Sequence, residues 1–269
     1  MLSRKLLKGV VCLILLACMV AGSVAVYRYL TRKPRVVRLT VPLVRTTAEL
    51  AGRLGQVLDA DSADFMEVMT DSVLIDSLGY DRATLPAMFI PNTYEVYQWT
   101  SPKNLLLRLK QECDNFWTTE RLMQAEAQDL SPVEVMTLAS IVEQETACDD
   151  ERARVAGMYL NRLERQMPLQ ADPTVKFALG DFALKRIQRT HLQCDSPYNT
   201  YRHTGLPPGP ICIPSLASIK AVLKPEVHNY IYMCAKEDFC GRHNFAETYG
   251  EHIRNARRYA RALDKAGIN

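Results

Sequence analysis

Several patterns are missing from this sequence. No C-x-x-C pair occurs among its eight cysteines, and none of its five histidines stands in H-x-x-x-H spacing. A structural or catalytic zinc therefore has no ligand pattern to rest on, and neither a metal nor another cofactor is expected. No internal repeat or low-complexity tract is visible. A basic body is missing too, although the formal net charge is +3. Residues 1–35 hold seven Lys or Arg and no acid, which leaves residues 36–269 with 26 bases against 30 acids, a net −4. A body of that sign lacks the phosphate-neutralising surface that nucleic acid demands, so no nucleic-acid partner is expected.

What is present begins with an apolar run. Residues 9–30, GVVCLILLACMVAGSVAVYRYL, carry one charge, Arg28, near their end. At ~1.5 Å per residue, such a length crosses a hydrocarbon layer as one helix. Tyr27 and Tyr29 stand where interfacial aromatics belong. The expectation is a single N-terminal transmembrane anchor, with residues 1–8 on the cytoplasmic side. A cleaved signal peptide is the rival, since Arg4, Lys5 and Lys8 make an n-region. Leu15-Leu16-Ala17-Cys18 also resembles a lipoprotein cleavage box, but the apolar run continues well past Cys18. Basic residues flank both ends, so the positive-inside count does not fix the orientation.

The remainder reads as α+β. Val36–Val41 alternates as a strand, Thr46 or Thr47 caps a helix, and two short helices follow before Gly79. Residues 31–83 are thus expected to form a linker and a small α/β lead-in subdomain. Residues 84–269 form the main domain, with a short strand from Phe89 toward Trp99 and a long helix from Ser101-Pro102. Asn229–Ala235 and His243–Phe245 pattern as a hairpin, and residues 249–266 as an amphipathic helix stopped by Gly267.

The informative helix opens at Ser131-Pro132-Val133-Glu134, a capping box with proline at the first helical position. It carries two glutamates near its end, Glu143 and Glu145. At about 100° per residue, Val135, Leu138, Ile141 and Val142 make an apolar stripe. Glu145 projects within it, and Glu143 points to the other side, that of Met136 and Ala139. A carboxylate on an apolar face is desolvated, which raises its pKa toward the range of a general acid. A core ion pair with an arginine, or exposure on a fraying last turn, are the alternatives for Glu145. Asp149 and Asp150 are expected to cap the next helix.

Residues 138–146, Leu-Ala-Ser-Ile-Val-Glu-Gln-Glu-Thr, resemble the signature of the endolytic murein transglycosylases, the YceG-like family. The likeness continues in order through Gln170-Ala171-Asp172-Pro173-Thr174, Tyr198-Asn199-Thr200-Tyr201, Gly205-Leu206-Pro207-Pro208-Gly209-Pro210-Ile211 and His243-Asn244-Phe245. It covers roughly residues 84–262. The resemblance implies a mainly helical, lysozyme-like catalytic domain with a C-terminal hairpin and helix, and it implies that Glu145 is the catalytic residue. Gln170, Asp172, Thr174, Tyr198, Asn199, Thr200, Tyr201, His243 and Phe245 would bind substrate, namely peptidoglycan glycan strands. Peptidoglycan synthases would be partners, and the catalytic domain would face outward from a bacterial cytoplasmic membrane. The implied reaction is lytic cleavage within strands, leaving 1,6-anhydro-MurNAc ends and terminating nascent strand elongation.

Plainer readings stand beside these. Asp172 before Pro173 fits a helix N-cap, and Tyr198, Asn199 and Tyr201 also fit loop-holding roles. Gly205–Pro214 fits a rigid wall, and His243 fits a satisfied structural histidine. Asp172 as a second carboxylate would make the protein a muramidase-type hydrolase, and a non-catalytic envelope scaffold is a further alternative. The chain departs from the family at Asn92, where Asp is usual. A LysM-like module is expected to be absent, since only about sixty residues separate Thr31 from Pro91. Cys234 and Cys240 flank Lys236-Glu237-Asp238 between two expected strands and are candidates for a disulfide, against the reading of buried free thiols.

Overall fold

The computed structural model describes residues 14–24, 27, 35–184 and 186–267. Residues 14–24 are helical, and their apolar side chains, among them Ile14, Leu15, Leu16, Met19 and Val20, stand exposed. Among the described residues no helix is long and apolar enough to cross a membrane. The expected anchor over residues 9–30 lies partly outside the described residues.

The body begins with β1 (Val36–Thr40), followed by α1 (Thr47–Gly55), α2 (Ser62–Thr70) and α3 (Ser72–Ser77). Each of these helices is capped by a side chain one residue before its start: Thr46 for α1, Asp61 for α2 and Asp71 for α3. A 3₁₀ turn at Leu85–Met88 leads to β2 (Thr93–Tyr97). β1 and β2 pair antiparallel, with Val36 opposite Tyr97 and Thr40 opposite Thr93. The sheet therefore straddles the boundary drawn between residues 83 and 84. β1, the three helices α1 to α3, the 3₁₀ turn and β2 thus form a unit that closes at Tyr97. Asn92 sits at the entrance of β2, where its carbonyl accepts from the Val41 amide at 2.9 Å.

The second half is mainly helical: α4 (Pro102–Phe116), α5 (Thr119–Glu126), α6 (Pro132–Glu145), α7 (Asp149–Glu164), α8 (Asp172–Leu179) and α9 (Leu216–Leu223). A hairpin of β3 (Tyr232–Ala235) and β4 (His243–Ala246) pairs Tyr232 with Ala246 and Ala235 with His243. The closing helix α10 (Tyr249–Ala266) packs on that hairpin and ends at Gly267, whose φ of 65° suits glycine. Cys234 and Cys240 are both free thiols, which agrees with the free-thiol reading rather than with the candidate disulfide, and the β3–β4 ladder holds the hairpin.

α6 is the axis of the molecule. Its capping box forms as expected: the Ser131 hydroxyl accepts from the Glu134 amide, and the Glu134 carboxylate accepts from the Ser131 amide. Every residue from Val135 to Val142 is buried, so the helix has no solvent face in this stretch. One continuous apolar cluster runs from Leu39 of β1 through Leu138 of α6 to Leu223 of α9, and it is this burial that fixes α6. The 205–214 segment braces it. The Ile211 amide donates to Ser140 Oγ at 2.9 Å, and the Ile213 amide donates to the Val44 carbonyl at 2.8 Å. A Cβ at Gly209 would stand 2.1 Å from the Ala83 carbonyl oxygen, so only glycine lets the wall approach the lead-in this closely.

Candidate active site

The last turn of α6 delivers two carboxylates to two different surroundings. Glu143 enters a polar knot between α6, α7 and α9. Its Oε2 accepts from the Ser218 hydroxyl at 2.7 Å, the Ser215 amide at 3.1 Å and the Ser215 hydroxyl, and pairs with Arg152 Nη1 at 3.1 Å. Burial alone would push this carboxyl up. The serine donors and the Arg152 guanidinium outweigh it and hold the group below its ordinary range. Glu143 was expected to point away from the apolar stripe, toward Met136 and Ala139. Met136 and Ala139 there are fully buried, so the side chain turns into core and is satisfied by partners.

Glu145, the final residue of α6, has one side-chain hydrogen bond among the described residues. Tyr159 of α7 donates its phenol to Oε1 at 2.5 Å. The carboxyl is closely surrounded by protein yet opens on a cleft of roughly 290 Å³. Burial raises its pKa to about 7; the Tyr159 hydrogen bond opposes the rise, the nearby Asp172 carboxylate adds to it, and Arg162 and Lys176 oppose it. A carboxylic acid that keeps its proton near neutrality, beside a cavity, is the arrangement general acid catalysis requires.

α7 supplies one wall of the cleft because Met158, Tyr159 and Arg162 share one side of it. Arg162 is nearly buried and is held by backbone carbonyls: Nε donates to Ile231 at 2.6 Å, and Nη1 to Pro168 at 3.1 Å and Leu169 at 2.8 Å. Its side chain thus ties the hairpin and the 168–169 loop to α7. The first turn of α7 holds the hairpin from its other end, through Arg242 Nη1 to Asp150 at 2.7 Å and the His243 amide to Glu151 at 3.1 Å. Asp149 and Asp150 were expected as caps. The N-cap is Cys148, with no side-chain bond, and both aspartates are taken by arginines, Arg152 and Arg242.

The structure brings Gln170, Asp172, Tyr201 and His243 to the cleft beside Glu145. Of the readings open for Asp172, the N-cap is not the one found. Asp172 is the first residue of α8, the N-cap is Ala171 with no side-chain bond, and the Asp172 carboxylate instead accepts from the Tyr201 hydroxyl at 2.6 Å. Gln170 has a left-handed backbone, φ 51°, held by its amide bonding the Thr200 carbonyl at 3.0 Å. Non-glycine residues in that conformation are strained and concentrate at working sites. His243 lines the cleft while its Nδ1 lies 3.3 Å from Glu151 Oε2.

Five other residues expected to bind substrate are not among those that line the cleft. Thr174 and Thr200 are buried and share a 2.8 Å hydroxyl contact, with Thr200 Oγ1 also accepting from the Ala171 amide at 3.0 Å. Asn199 is fully buried; its amide group donates to the Leu192 and Cys194 carbonyls at 2.9 Å each, and its oxygen accepts from the Tyr201 amide at 3.1 Å. These three build the loop that aims Gln170, Asp172 and Tyr201. Tyr198 packs on Phe177 at 4.7 Å, and Phe245 packs on Tyr230 at 5.7 Å beneath the Arg154 guanidinium. Neither lines the cleft. Conversely, sequence reasoning did not single out Tyr159, Arg162 or Met233. The only local sign was that Tyr159 and Arg162 stand three apart on one helix. A groove of roughly 810 Å³ lies on the far side of α7, against Leu206 and Pro207. Though larger, it is separate from Glu145.

The site thus combines a carboxyl of raised pKa with a cavity on one side and a phenol on the other. The YceG-like family model matches residues 21–258, and the chain belongs to the YceG-like family. It is 31% identical over 197 residues to a Bacillus subtilis protein named endolytic murein transglycosylase, covering 73% of this chain and 53% of that one. A Streptococcus pneumoniae protein of the same name is 27% identical over 256 residues, covering 83% of this chain and 45% of that one. The chain thus spans about half the length of the curated relatives it matches. A crystal structure of a YceG-like protein from Listeria monocytogenes superposes with a TM-score of 0.68 at 29% identity, covering 81% of this chain and 75% of that one.

Proposed function

We propose that this protein is a lytic transglycosylase of peptidoglycan, with Glu145 as its acid and then its base. The observation that carries the reading is the Glu145 carboxyl, protonated near neutrality by burial and open to a cleft. In the reaction, Glu145 gives its proton to the oxygen joining MurNAc C1 to the next GlcNAc, and that bond breaks. The carboxylate so formed takes the proton of the MurNAc C6 hydroxyl, and the C6 oxygen closes on C1. No water is consumed, and the end left behind is 1,6-anhydro-MurNAc. A tethered nucleophile has an effective molarity on the order of 10⁵ M or more, which makes a second catalytic carboxylate dispensable. The relatives' name, endolytic murein transglycosylase, supports cleavage inside strands. Termination of nascent strands, association with peptidoglycan synthases and an outward-facing catalytic domain complete the reading. The exposed apolar side chains of residues 14–24 support a single-pass anchor over residues 9–30 in a bacterial cytoplasmic membrane.

One observation favours a second reading. Asp172 is no cap and faces the same cleft, as the second carboxylate of a hydrolase would. Mass spectrometry of glycan ends made in ¹⁸O-water separates the two. Anhydro ends, lighter by one water and free of ¹⁸O, are expected. Reducing MurNAc ends carrying ¹⁸O would overturn the transglycosylase and install the hydrolase.

A further inference from the structure

Tyr159 is buried, at 2% exposure, and among the described residues its hydroxyl makes one hydrogen bond, at 2.5 Å to Glu145 Oε1. Oε2 of the same carboxyl accepts no hydrogen bond among the described residues, and Glu145 lines the cleft. The two oxygens are therefore not equivalent. One is fixed against α7 by a donor that cannot accept a proton from it at neutral pH, because burial and the Glu145 charge hold the phenol well above its ordinary range. The other is left for the cleft.

We propose that Tyr159 is a positioning residue that assigns the two oxygens of Glu145 their tasks, keeping Oε1 as an acceptor so that the transferable proton resides on Oε2, facing substrate. This rests on the acid role proposed above for Glu145. When the Oε2 proton passes to the glycosidic oxygen, the phenol remains bonded to Oε1 and stabilises the carboxylate that results, since a hydrogen bond to an ionised acceptor is stronger than one to a neutral acid. When Oε2 then takes the C6 hydroxyl proton, the starting state returns without a rotation of the carboxyl. Tyr159 gains and loses no proton in either step.

The bond also limits how far the cleft raises the acid. Facing Glu145 are Tyr159 and Arg162 from α7, and Asp172 and Lys176 from α8. Tyr201 feels its charge from the loop before the wall, and His243 and Cys234 line the same cleft from the hairpin. Of these, the phenol alone bonds the carboxyl directly, and it favours the ionised form. Without it, burial and Asp172 act against Arg162 and Lys176 alone.

The test is a titration of Glu145 in the full chain in detergent, followed by its ¹³C-labelled side-chain carboxyl resonance, which is assigned by its loss in Glu145→Gln. In Tyr159→Phe the midpoint should rise by about one pH unit. The alkaline limb of glycan cleavage should move up with it, while kcat falls and KM holds. A midpoint and a limb that both stay in place would overturn the proposal, since a tyrosine that merely fills space moves neither. Should Tyr159→Phe fail to fold, 3-fluorotyrosine installed at position 159 keeps the shape and strengthens the donor. The midpoint should then fall, and an unmoved one overturns the proposal. The titration needs no cleavage, so a protein that cuts no glycan would defeat the proposed function while leaving this inference to be judged by its own readout.

Discussion

Glu143 and Glu145 stand two residues apart on one helix, and the protein treats them in opposite ways. Around Glu143 the chain gathers an arginine and two serines drawn from α7 and from the start of α9, and the carboxylate is held ionised. Around Glu145 it offers one phenol and a neighbouring aspartate, and the carboxyl is held protonated to about pH 7. Exposure does not separate the two, since both are half-buried. The number of donors does. The first carboxylate ties helices together, and the second is kept short of partners so that its proton remains available.

The sharpest probe of that contrast is activity. Glu145→Gln keeps the shape and the Tyr159 bond but has no proton to give, so glycan cleavage should fall by about 10³-fold, read as anhydro ends per unit time. Wild-type cleavage should itself decline as pH rises through about 7, where Glu145 loses its proton. A Glu145→Gln protein that still cuts would dissolve the comparison.

The same substitution two residues earlier should act on stability instead. Glu143→Gln leaves Arg152, only 7% exposed, without its inward charge partner, and the loss should be about 3 kcal/mol by denaturant unfolding. Because the fold lowers the Glu143 pKa, this contribution is present above the ordinary carboxylate value of 4.5 and is lost as pH falls through the lowered one. Folded Glu143→Gln molecules should still cleave.

Glu145→Gln should show the reverse pH dependence and a somewhat smaller effect. The Glu145 pKa is raised from 4.5 to about 7, so the stability tied to its proton is complete below 4.5 and lost as pH rises through 7. Glutamine imitates the protonated form throughout. The variant should match wild type near pH 4 and exceed it by about 2 kcal/mol above pH 8. Thermal melts across that range decide it, and a gap that does not widen with pH would show that Glu145 is solvated like a surface acid.

The smallest effect is expected behind the cleft. Thr200→Val removes the hydroxyl that accepts from the Ala171 amide and meets Thr174. It should destabilise by about 1 kcal/mol and weaken cleavage by loosening Gln170 and Asp172. Unchanged cleavage would mean that the loop does not aim them.

Features fixed by neighbours in sequence were legible in it. The Ser131-Pro132-Glu134 start of α6, the hairpin and the Gly267 stop formed as their local chemistry required. Glu145 was reached by helix periodicity and by motif. What failed was whatever depended on a distant partner. β1 pairs with a strand more than fifty residues on, a pairing that no local signal shows. Asp172 looked like a cap because nothing near it shows that Tyr201, 29 residues later, takes its carboxylate. Thr174, Asn199 and Thr200 carried the motif but face inward, since a motif marks residues that build a site as readily as those that touch its ligand. Tyr159 was missed because a tyrosine in a helix gives no local sign that its hydroxyl will meet a carboxylate 14 residues earlier. The stripe argument turned Glu143 toward Met136 and Ala139, but it could not show that α6 is buried on that side as well.

The carbonyl cage of Arg162 carries a consequence for the newborn chain. Two of its three carbonyls, from Pro168 and Leu169, are made soon after the arginine, while the third, from Ile231, arrives some seventy residues later. The far wall of the cleft comes later still, with His243. Until then Glu145 lacks the enclosure that raises its pKa. On the proposed function, cleavage therefore waits for these long-range contacts to close, and a chain stopped before the hairpin should lack it.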